Sequence, residues 1–242
     1  MATELDLGLY LHYLSSGEDL SVALVCLDDA YNRFLQARMA LCEAFACLIW
    51  YREESPKAPL NFEAALTGRF YVDYVGLLLY AAGEDIGAFV THFLGIKDDI
   101  RNYLEDAEVQ KKLERKKISS NAAKVGLYLK DKFPDHEVTT IICDLHNNQH
   151  WQKAITYRNN WVHEQPPIVA EMGVQYARES RGREAEGKGR SISFGGGNPP
   201  KYTIDKLLDV MVSATDVFAA ALWRLLEIVI RKREEFSKTS ET

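Results

Sequence analysis

The chain has 242 residues, of which 47% are hydrophobic, 11% are aromatic and 26% are charged. This composition is typical of a folded globular protein and excludes general disorder, because disordered chains lack the aromatic residues that a core needs. The formal net charge of −6 argues against an affinity of the whole molecule for nucleic acid.

No segment of the sequence is predicted to span a membrane. The longest uncharged apolar stretches, Ala44–Tyr51 and Tyr74–Gly83, reach about half of the ~20 residues that a bilayer requires. Glu4 and Asp6 lie where a secretory signal would carry basic residues. The four cysteines form no Cys-x-x-Cys pair, which favours free thiols in a reducing compartment. We therefore expect a cytoplasmic protein.

The first half of the chain is predicted to form two long helices. The first runs from a cap at Ser16 to about Glu54, and Pro56 ends it. Apolar residues recur along it at intervals of three and four, as on one face of a helix. The second begins at Asn61 and continues toward Leu94. It contains glycines at helical spacing, which we expect to permit close contact with neighbouring helices. These are Gly68, Gly76, Gly83 and Gly87.

The second half is predicted to be mainly helical as well. Two shorter helices are expected at Asp98–Lys116 and Asn121–Lys132. A long helix then begins with Asp135 as its cap and ends before Pro166, because the residue preceding a proline is disfavoured in the α region. A final helix runs from about Thr203 to Phe236.

The pattern changes between the last two helices, over residues 168–201. Val174–Arg178 and Ser191–Phe194 each alternate for a few residues, as short strands do, and a charged, glycine-rich stretch separates them. We expect a small β-hairpin with a mobile tip. The prediction is a single all-α domain over residues 1–242, a bundle of long antiparallel helices that carries this hairpin as an insertion.

Charge is distributed unevenly along the chain. The window Val109–Lys132 contains eight bases and two acids, whereas Lys97–Glu108 contains two bases and five acids. A basic run of this kind is either a solvated helical face or a patch that binds a polyanion. The arm from Arg178 to Lys201 is also basic. If these segments bind RNA, the candidate contacts are Lys112, Arg115, Lys116, Lys117, Arg178 and Arg190.

Common catalytic and cofactor motifs are absent from the sequence. There is no Walker or Rossmann glycine fingerprint and no serine-nucleophile motif. His146 and His150 have the spacing that lets two imidazoles share a metal, but no third or fourth ligand accompanies them. We therefore expect neither a metal site nor a cofactor.

One polar segment lies at the end of the predicted long helix. Arg158 is followed by Asn159 and, after three more residues, by His163. This arrangement resembles the signature of the HEPN superfamily, which is an arginine, usually followed by a small polar residue, with four to six residues between the arginine and a histidine. Members of that superfamily are all-α proteins, and many are metal-independent endoribonucleases. The resemblance covers these motif residues and the general helical layout.

The residue types of the motif suit RNA cleavage. RNA supplies its own nucleophile, the 2′-hydroxyl, so the protein needs a proton donor and acceptor and a group that stabilises charge on the phosphate. A histidine such as His163 exchanges protons near neutral pH, because its unperturbed pKa is about 6.5. Arg158 offers a permanent charge and a planar fork of donors to phosphate oxygens. Asn159 would position the phosphate or the imidazole.

Helix geometry suggests that two copies of the chain are needed for such a site. Five residues along a helix separate Arg158 from His163 by about 140° of rotation and about 7.5 Å of rise. One helix therefore does not direct both side chains at one phosphate, whereas two helices crossing at a two-fold axis can form a shared cleft. The resemblance also implies a homodimer with a composite site.

Two alternatives to catalysis remain open. Arg158 can pair with a carboxylate while His163 caps the helix C-terminus, which would be a structural role. The protein can also be a non-catalytic helical dimer that binds RNA, a nucleotide or a protein partner. Some HEPN toxins carry a tyrosine two residues after the histidine, which a partner nucleotidyltransferase modifies, but this chain has Gln165 there. The resemblance leaves an inhibitor or antitoxin protein open as a partner, in defence or in a toxin–antitoxin system.

Overall fold

The structure, a computed structural model, describes residues 18–53, 61–116, 118, 120–163, 169–170 and 202–239. These residues form eight helices and two short strands. In chain order they are α1 (Glu18–Glu53), α2 (Asn61–Phe93), α3 (Lys97–Glu105), α4 (Ala107–Lys116), α5 (Asn121–Lys132), α6 (Glu137–Asn147), α7 (Gln149–His163), β1 (Val169–Ala170), β2 (Tyr202–Thr203) and α8 (Ile204–Thr239). The predicted all-α class is confirmed.

Helices α1 and α2 form a long antiparallel hairpin. Arg33, in the first half of α1, donates a 2.5 Å hydrogen bond to Asp85, in the second half of α2. The buried residues of α1 recur at alternating intervals of three and four, which is the 3.5-residue period of a coiled coil. Alanines occupy every seventh position and larger residues lie between them: Ala23, Leu27, Ala30, Phe34, Ala37, Leu41, Ala44 and Leu48. The alanines allow the neighbouring helices to pack close to α1.

Helix α8 joins the hairpin to the rest of the bundle. The ring of Phe218 lies 5.8 Å from that of Phe34 in α1 and stacks at 5.6 Å on Trp151 in α7. Buried residues of α1, α2, α5, α6, α7 and α8 belong to a single hydrophobic cluster. These six helices therefore share one core.

Two glycines of α2 permit close helix contacts, as predicted. A Cβ atom on Gly83 would lie 2.9 Å from the Trp151 ring, and one on Gly87 would lie 2.8 Å from the Ala122 Cα. Only glycine avoids these overlaps. A Cβ on Gly76 would instead make ordinary contacts, the nearest at 3.5 Å to the Cβ of Arg158.

Two helices predicted as continuous are each divided in two. The prediction of one helix over 98–116 is wrong, because Asp106 adopts an extended conformation between α3 and α4. Its Oδ1 accepts hydrogen bonds from the backbone N–H groups of Glu108 and Val109, at 2.9 and 3.1 Å. Short carboxylate and amide side chains favour such caps over helix interiors.

The long helix predicted from 135 to 165 is wrong for the same reason. Asn148 is extended, and its Oδ1 accepts from the N–H groups of His150 at 2.9 Å and Trp151 at 3.4 Å, so that α7 begins as a new helix. The first part, α6, is capped by His136 rather than by Asp135. The His136 Nδ1 accepts from the Val138 N–H at 3.2 Å.

The described part of the insertion is a two-residue parallel ladder. Val169 pairs with Tyr202 and Ala170 with Thr203. The segments predicted as hairpin strands, Val174–Arg178 and Ser191–Phe194, lie outside the described residues.

The described helices differ from membrane-spanning helices in length or composition. No individual helix among them has both the length and the apolar composition to cross a bilayer. Two consecutive helical segments, Leu66–Phe93 and Lys97–Glu105, are together long and apolar enough to cross a bilayer, but a 110° bend separates them.

The glycine contacts generate a stability prediction. Gly87→Ala should destabilise the fold by about 1–3 kcal/mol, since its Cβ would overlap the α5 backbone. Gly76→Ala, the matched control on the same helix, should be neutral or stabilising by up to about 1 kcal/mol, because alanine favours the helix. Urea denaturation of both variants measures the difference. Equal effects of the two substitutions would contradict the close packing of α2 on α5.

Candidate functional site

A buried carboxylate joins α7 to α2. Both oxygens of Asp73 accept from Arg69 Nε at 2.9 Å, and Oδ1 also accepts from the Tyr157 hydroxyl at 2.5 Å. Burial raises the pKa of Asp73, while the Arg69 charge and the two hydrogen-bond donors oppose that rise. The Tyr157 ring is fully buried and meets Tyr202 edge-on at 5.5 Å. This cluster fixes the rotation of α7 against α2.

Arg158, the next residue, lies over an aromatic ring of α2. Its guanidinium carbon is 3.8 Å from the centre of the Tyr80 ring. One nitrogen, Nη1, donates to the Oδ1 of Asn159 at 3.0 Å, whereas Nε is buried with no hydrogen-bond partner. Within the described ranges no carboxylate lies within ion-pairing distance of Arg158. The carboxylate partner required by the structural alternative is therefore not found in that part of the chain.

A small cavity of about 40 Å³ lies beside Tyr80, where α2, α5, α6 and α7 meet. This volume accommodates ordered water rather than a nucleobase. Its walls combine aromatic, apolar and polar side chains. They belong to Tyr80, Gly83, Glu84, Ser120, Ala122, His146, Trp151 and Ile155.

The carboxylate nearest to this cavity is occupied by a helix N-terminus. Glu84 Oε2 accepts from the backbone N–H of Asn121 at 3.0 Å, at the start of α5. Ser120 caps the same helix by accepting from the Ala123 N–H at 3.2 Å. Both groups thus satisfy donors that a helix start leaves unpaired.

His146 is a neutral histidine in the cavity wall. Burial lowers its pKa to about 4, although a hydrogen bond with the Ala122 backbone opposes the shift. Its Nε2 is buried and has no partner among the described residues. His150, considered with it as a metal pair, is exposed at the start of α7. In the part of the chain that the structure describes, no group of three or more metal-ligating side chains is gathered.

The structure brings together two of the three predicted catalytic residues. Arg158 and Asn159 are neighbours joined by a hydrogen bond, beside the cavity. His163 is the last residue of α7, and its side chain lies outside the described part of the structure.

The residues predicted to contact RNA differ in whether a carboxylate pairs with them. Lys112 forms a 2.7 Å ion pair with Asp131 of α5, so its charge is largely compensated. Arg115 is exposed on α4 and has no ion pair with a described residue. Four predicted contacts cannot be placed, because the Lys116 side chain and the whole of Lys117, Arg178 and Arg190 lie outside the described residues.

The sequence prediction missed Tyr80 and Glu84. A signal for Tyr80 exists in the sequence, because Gly76, Tyr80, Gly83 and Gly87 follow one another at intervals of four, three and four. Residues at this spacing share one helix face. The glycines mark that face as a contact surface, and Tyr80 is the large side chain in its middle.

Comparison of the chain with protein-family models, with curated proteins and with solved structures found no match.

Because burial depresses the pKa of His146, the free energy of unfolding is predicted to decrease as the pH is lowered. In the unfolded state this imidazole is protonated below about pH 6.5, whereas in the folded state it is protonated only below about pH 4. Between these two pH values the folded state loses about 3 kcal/mol of stability relative to the unfolded state. Asp85 opposes this trend, since burial raises its pKa to about 6 and it stabilises the fold most at low pH. The two contributions are separated by measuring thermal midpoints between pH 4 and 7 for wild type and His146→Gln. The variant should lose less stability on acidification, and parallel curves would contradict the burial of this imidazole.

Proposed function

We propose that this protein is a metal-independent endoribonuclease of HEPN type. The proposal depends on one observation, the environment of the Arg158 guanidinium. This group lies over the Tyr80 ring, donates a hydrogen bond to Asn159 and has no carboxylate partner among the described residues. A guanidinium without a carboxylate partner is free to bind a phosphate, because its planar set of N–H groups can donate to two phosphate oxygens at once.

The reaction assigns one role to each motif residue. The 2′-hydroxyl loses its proton to a base, its oxygen forms a bond to the adjacent phosphorus, and the bond from phosphorus to the 5′-oxygen breaks. The leaving oxygen takes a proton from an acid, so a 2′,3′-cyclic phosphate and a free 5′-hydroxyl result. His163 performs proton transfer, Arg158 stabilises charge on the phosphate oxygens, and Asn159 positions the guanidinium.

A homodimer would complete the proposed site, since positions five apart on a helix, such as 158 and 163, are separated by about 140° of rotation. An apolar patch supports this assembly. At the start of α2, Leu66 and Phe70 are 54% and 62% exposed, and Val162 is 40% exposed near the end of α7. Trp151 lies against Gly83 and Arg158 against Gly76, so α7 runs antiparallel to α2 and its end is expected at about the level of Phe70. Exposed apolar patches mark protein–protein contacts, and a partner bound here would bring its motif next to this one.

RNA is the proposed substrate, and it would approach along basic residues. These are Arg115 and Lys112 on α4, the adjoining Lys116 and Lys117, and Arg178 and Arg190 of the insertion. An inhibitor or antitoxin protein is a further proposed partner, in a cytoplasmic defence or toxin–antitoxin role. The alternative is a non-catalytic helical dimer that binds RNA, a nucleotide or a protein partner through the same cleft. The partial burial of Arg158 favours this alternative, because it leaves fewer donors for a reacting phosphate.

The first test is cleavage of labelled RNA in EDTA. Wild type should cleave, and His163→Ala should abolish cleavage while the thermal midpoint stays within a few degrees. Arg158→Lys should lose most activity despite its charge, because an ammonium cannot reproduce the guanidinium fork. Undiminished cleavage by His163→Ala would eliminate the mechanism. Wild-type protein that binds structured and unstructured RNAs and leaves them intact would favour the non-catalytic alternative.

A second test concerns self-association through the apolar patch. Sedimentation equilibrium at tens of micromolar should show a dimer for wild type and a monomer for Phe70→Glu. Met39→Glu is the matched control, because Met39 is 69% exposed on α1 and lies outside the patch. A monomeric wild type, or dissociation by the control alone, would refute this interface.

A third test addresses the basic segment. The double substitution Lys116→Ala and Lys117→Ala should weaken RNA binding for all sequences and flatten its salt dependence, as loss of phosphate contacts does. Lys112→Ala should have a smaller effect, since Asp131 already compensates its charge. Fluorescence anisotropy over a salt series measures both slopes. If the salt dependence of RNA binding is the same in the double variant as in wild type, this basic segment is a solvated helix face and does not contact RNA.

A further inference from the structure

The guanidinium of Arg158 is held by a ring rather than by an acid. Its central carbon lies 3.8 Å from the centre of the Tyr80 ring, the shortest cation–ring distance among the described residues. This is a cation–π contact, and no hydrogen bond joins the guanidinium to Tyr80. The ring therefore restrains the side chain without occupying the donors that a phosphate would use.

Two acidic side chains of α2 near this site have other partners: Asp73 accepts from Arg69 and Tyr157, and Glu84 accepts from α5. Glu84 lies one turn beyond Tyr80, but its Oε2 accepts from the Asn121 N–H at the start of α5. The structure shows no ion pair between Glu84 and Arg158. The Oε2 of this carboxylate is therefore used by α5 and not by the guanidinium.

The remaining contacts leave one edge of the guanidinium unoccupied. Nη1 donates to Asn159, and Nε is buried without a partner. Within the described ranges, Nη2 has no hydrogen bond and is not among the buried unpaired atoms. The free edge of Arg158 is therefore the side that carries Nη2.

We propose that Tyr80 is a positioning residue for Arg158, whose guanidinium it fixes so that the Nη2 edge meets an RNA phosphate. The inference rests on the proposed function, because the phosphate contact of Arg158 belongs to that function. Tyr80 does not touch the RNA and acts only through Arg158. The aromatic ring is the part that acts, and the hydroxyl group has no role in it.

The test measures RNA binding, so that cleavage does not enter the result. All variants carry His163→Ala, and a fluorescein-labelled 20-nucleotide RNA of mixed sequence is titrated in EDTA at fixed salt. Tyr80→Leu removes the ring and should raise Kd about fivefold, in keeping with the loss of one cation–ring contact. Tyr80→Phe keeps the ring and should bind within about twofold of its parent. Tyr80→Met replaces Tyr80→Leu if the latter lowers the thermal midpoint.

A double-substitution cycle separates positioning from a general structural role. In an Arg158→Ala background, Tyr80→Leu should add nothing to the loss of affinity, since Tyr80 acts only through the missing arginine. A full fivefold loss in that background would overturn the proposal. Equal losses for Tyr80→Phe and Tyr80→Leu would overturn it as well, and so would an unchanged Kd for Arg158→Ala.

Failure of the inference and failure of the proposed function give different results. If wild type cleaves no RNA but the binding cycle behaves as expected, the ribonuclease proposal fails and the role of Tyr80 stands. If cleavage by wild type depends on His163 while Tyr80→Leu binds RNA as its parent does, the ribonuclease proposal stands and the role of Tyr80 fails.

The stack itself can be observed without RNA. In a ¹⁵N spectrum of arginine Nε–H groups, the Arg158 signal is identified by its absence from Arg158→Lys. The ring current of Tyr80 should shift this signal upfield, and the shift should persist in Tyr80→Phe and disappear in Tyr80→Leu. A signal that Tyr80→Leu does not move would contradict the stacked geometry.

Discussion

The buried carboxylate of Asp73 is the interaction on which the position of Arg158 depends. A carboxylate in a protein interior is costly unless its oxygens are paired, and here Arg69 and Tyr157 supply the donors. Because Tyr157 is on α7 and Asp73 on α2, this bond fixes the rotation of one helix relative to the other. Successive residues of a helix point about 100° apart, so the inward direction of Tyr157 determines where Arg158 lies.

Helix α2 packs against the main core with one face and against α5 and α7 with another. One face carries Val72, Val75, Leu79, Ala82 and Ile86, which are buried in the main hydrophobic cluster. The other is the face of Gly76, Tyr80, Gly83 and Gly87, against which α7 and α5 pack. The missing side chains let the Trp151 ring and the Ala122 backbone approach α2 closely. Tyr80 is the one large side chain at the centre of this face, and it fills the position opposite Arg158.

Charge compensation differs between Arg158 and the basic segment. Lys111 and Lys112 each pair with a carboxylate on the surface, which reduces the charge available to a polyanion. Arg158 instead has a ring and an amide as neighbours, and its buried Nε has no partner. A buried, unpaired donor costs free energy. The proposed phosphate contact would explain why no carboxylate pairs with this guanidinium. A carboxylate at the same place would compete with the phosphate for the N–H donors.

The sequence by itself determined the helices and most of their ends, because helix formation follows local periodicity and local stop signals. The starts of α2 and α5 and the close-contact role of Gly83 and Gly87 were predictable for this reason. The breaks at Asp106 and Asn148 were not, since a polar residue within an amphipathic run is compatible with either a solvated face or a new cap. The pairing of Arg158 with Asn159 follows from their adjacency. That Arg158 lies on Tyr80, 78 positions away, was decided only by tertiary packing, because the rotation of α7 on α2 is set by the burial of Asp73 with Tyr157 and by the space that the glycines leave.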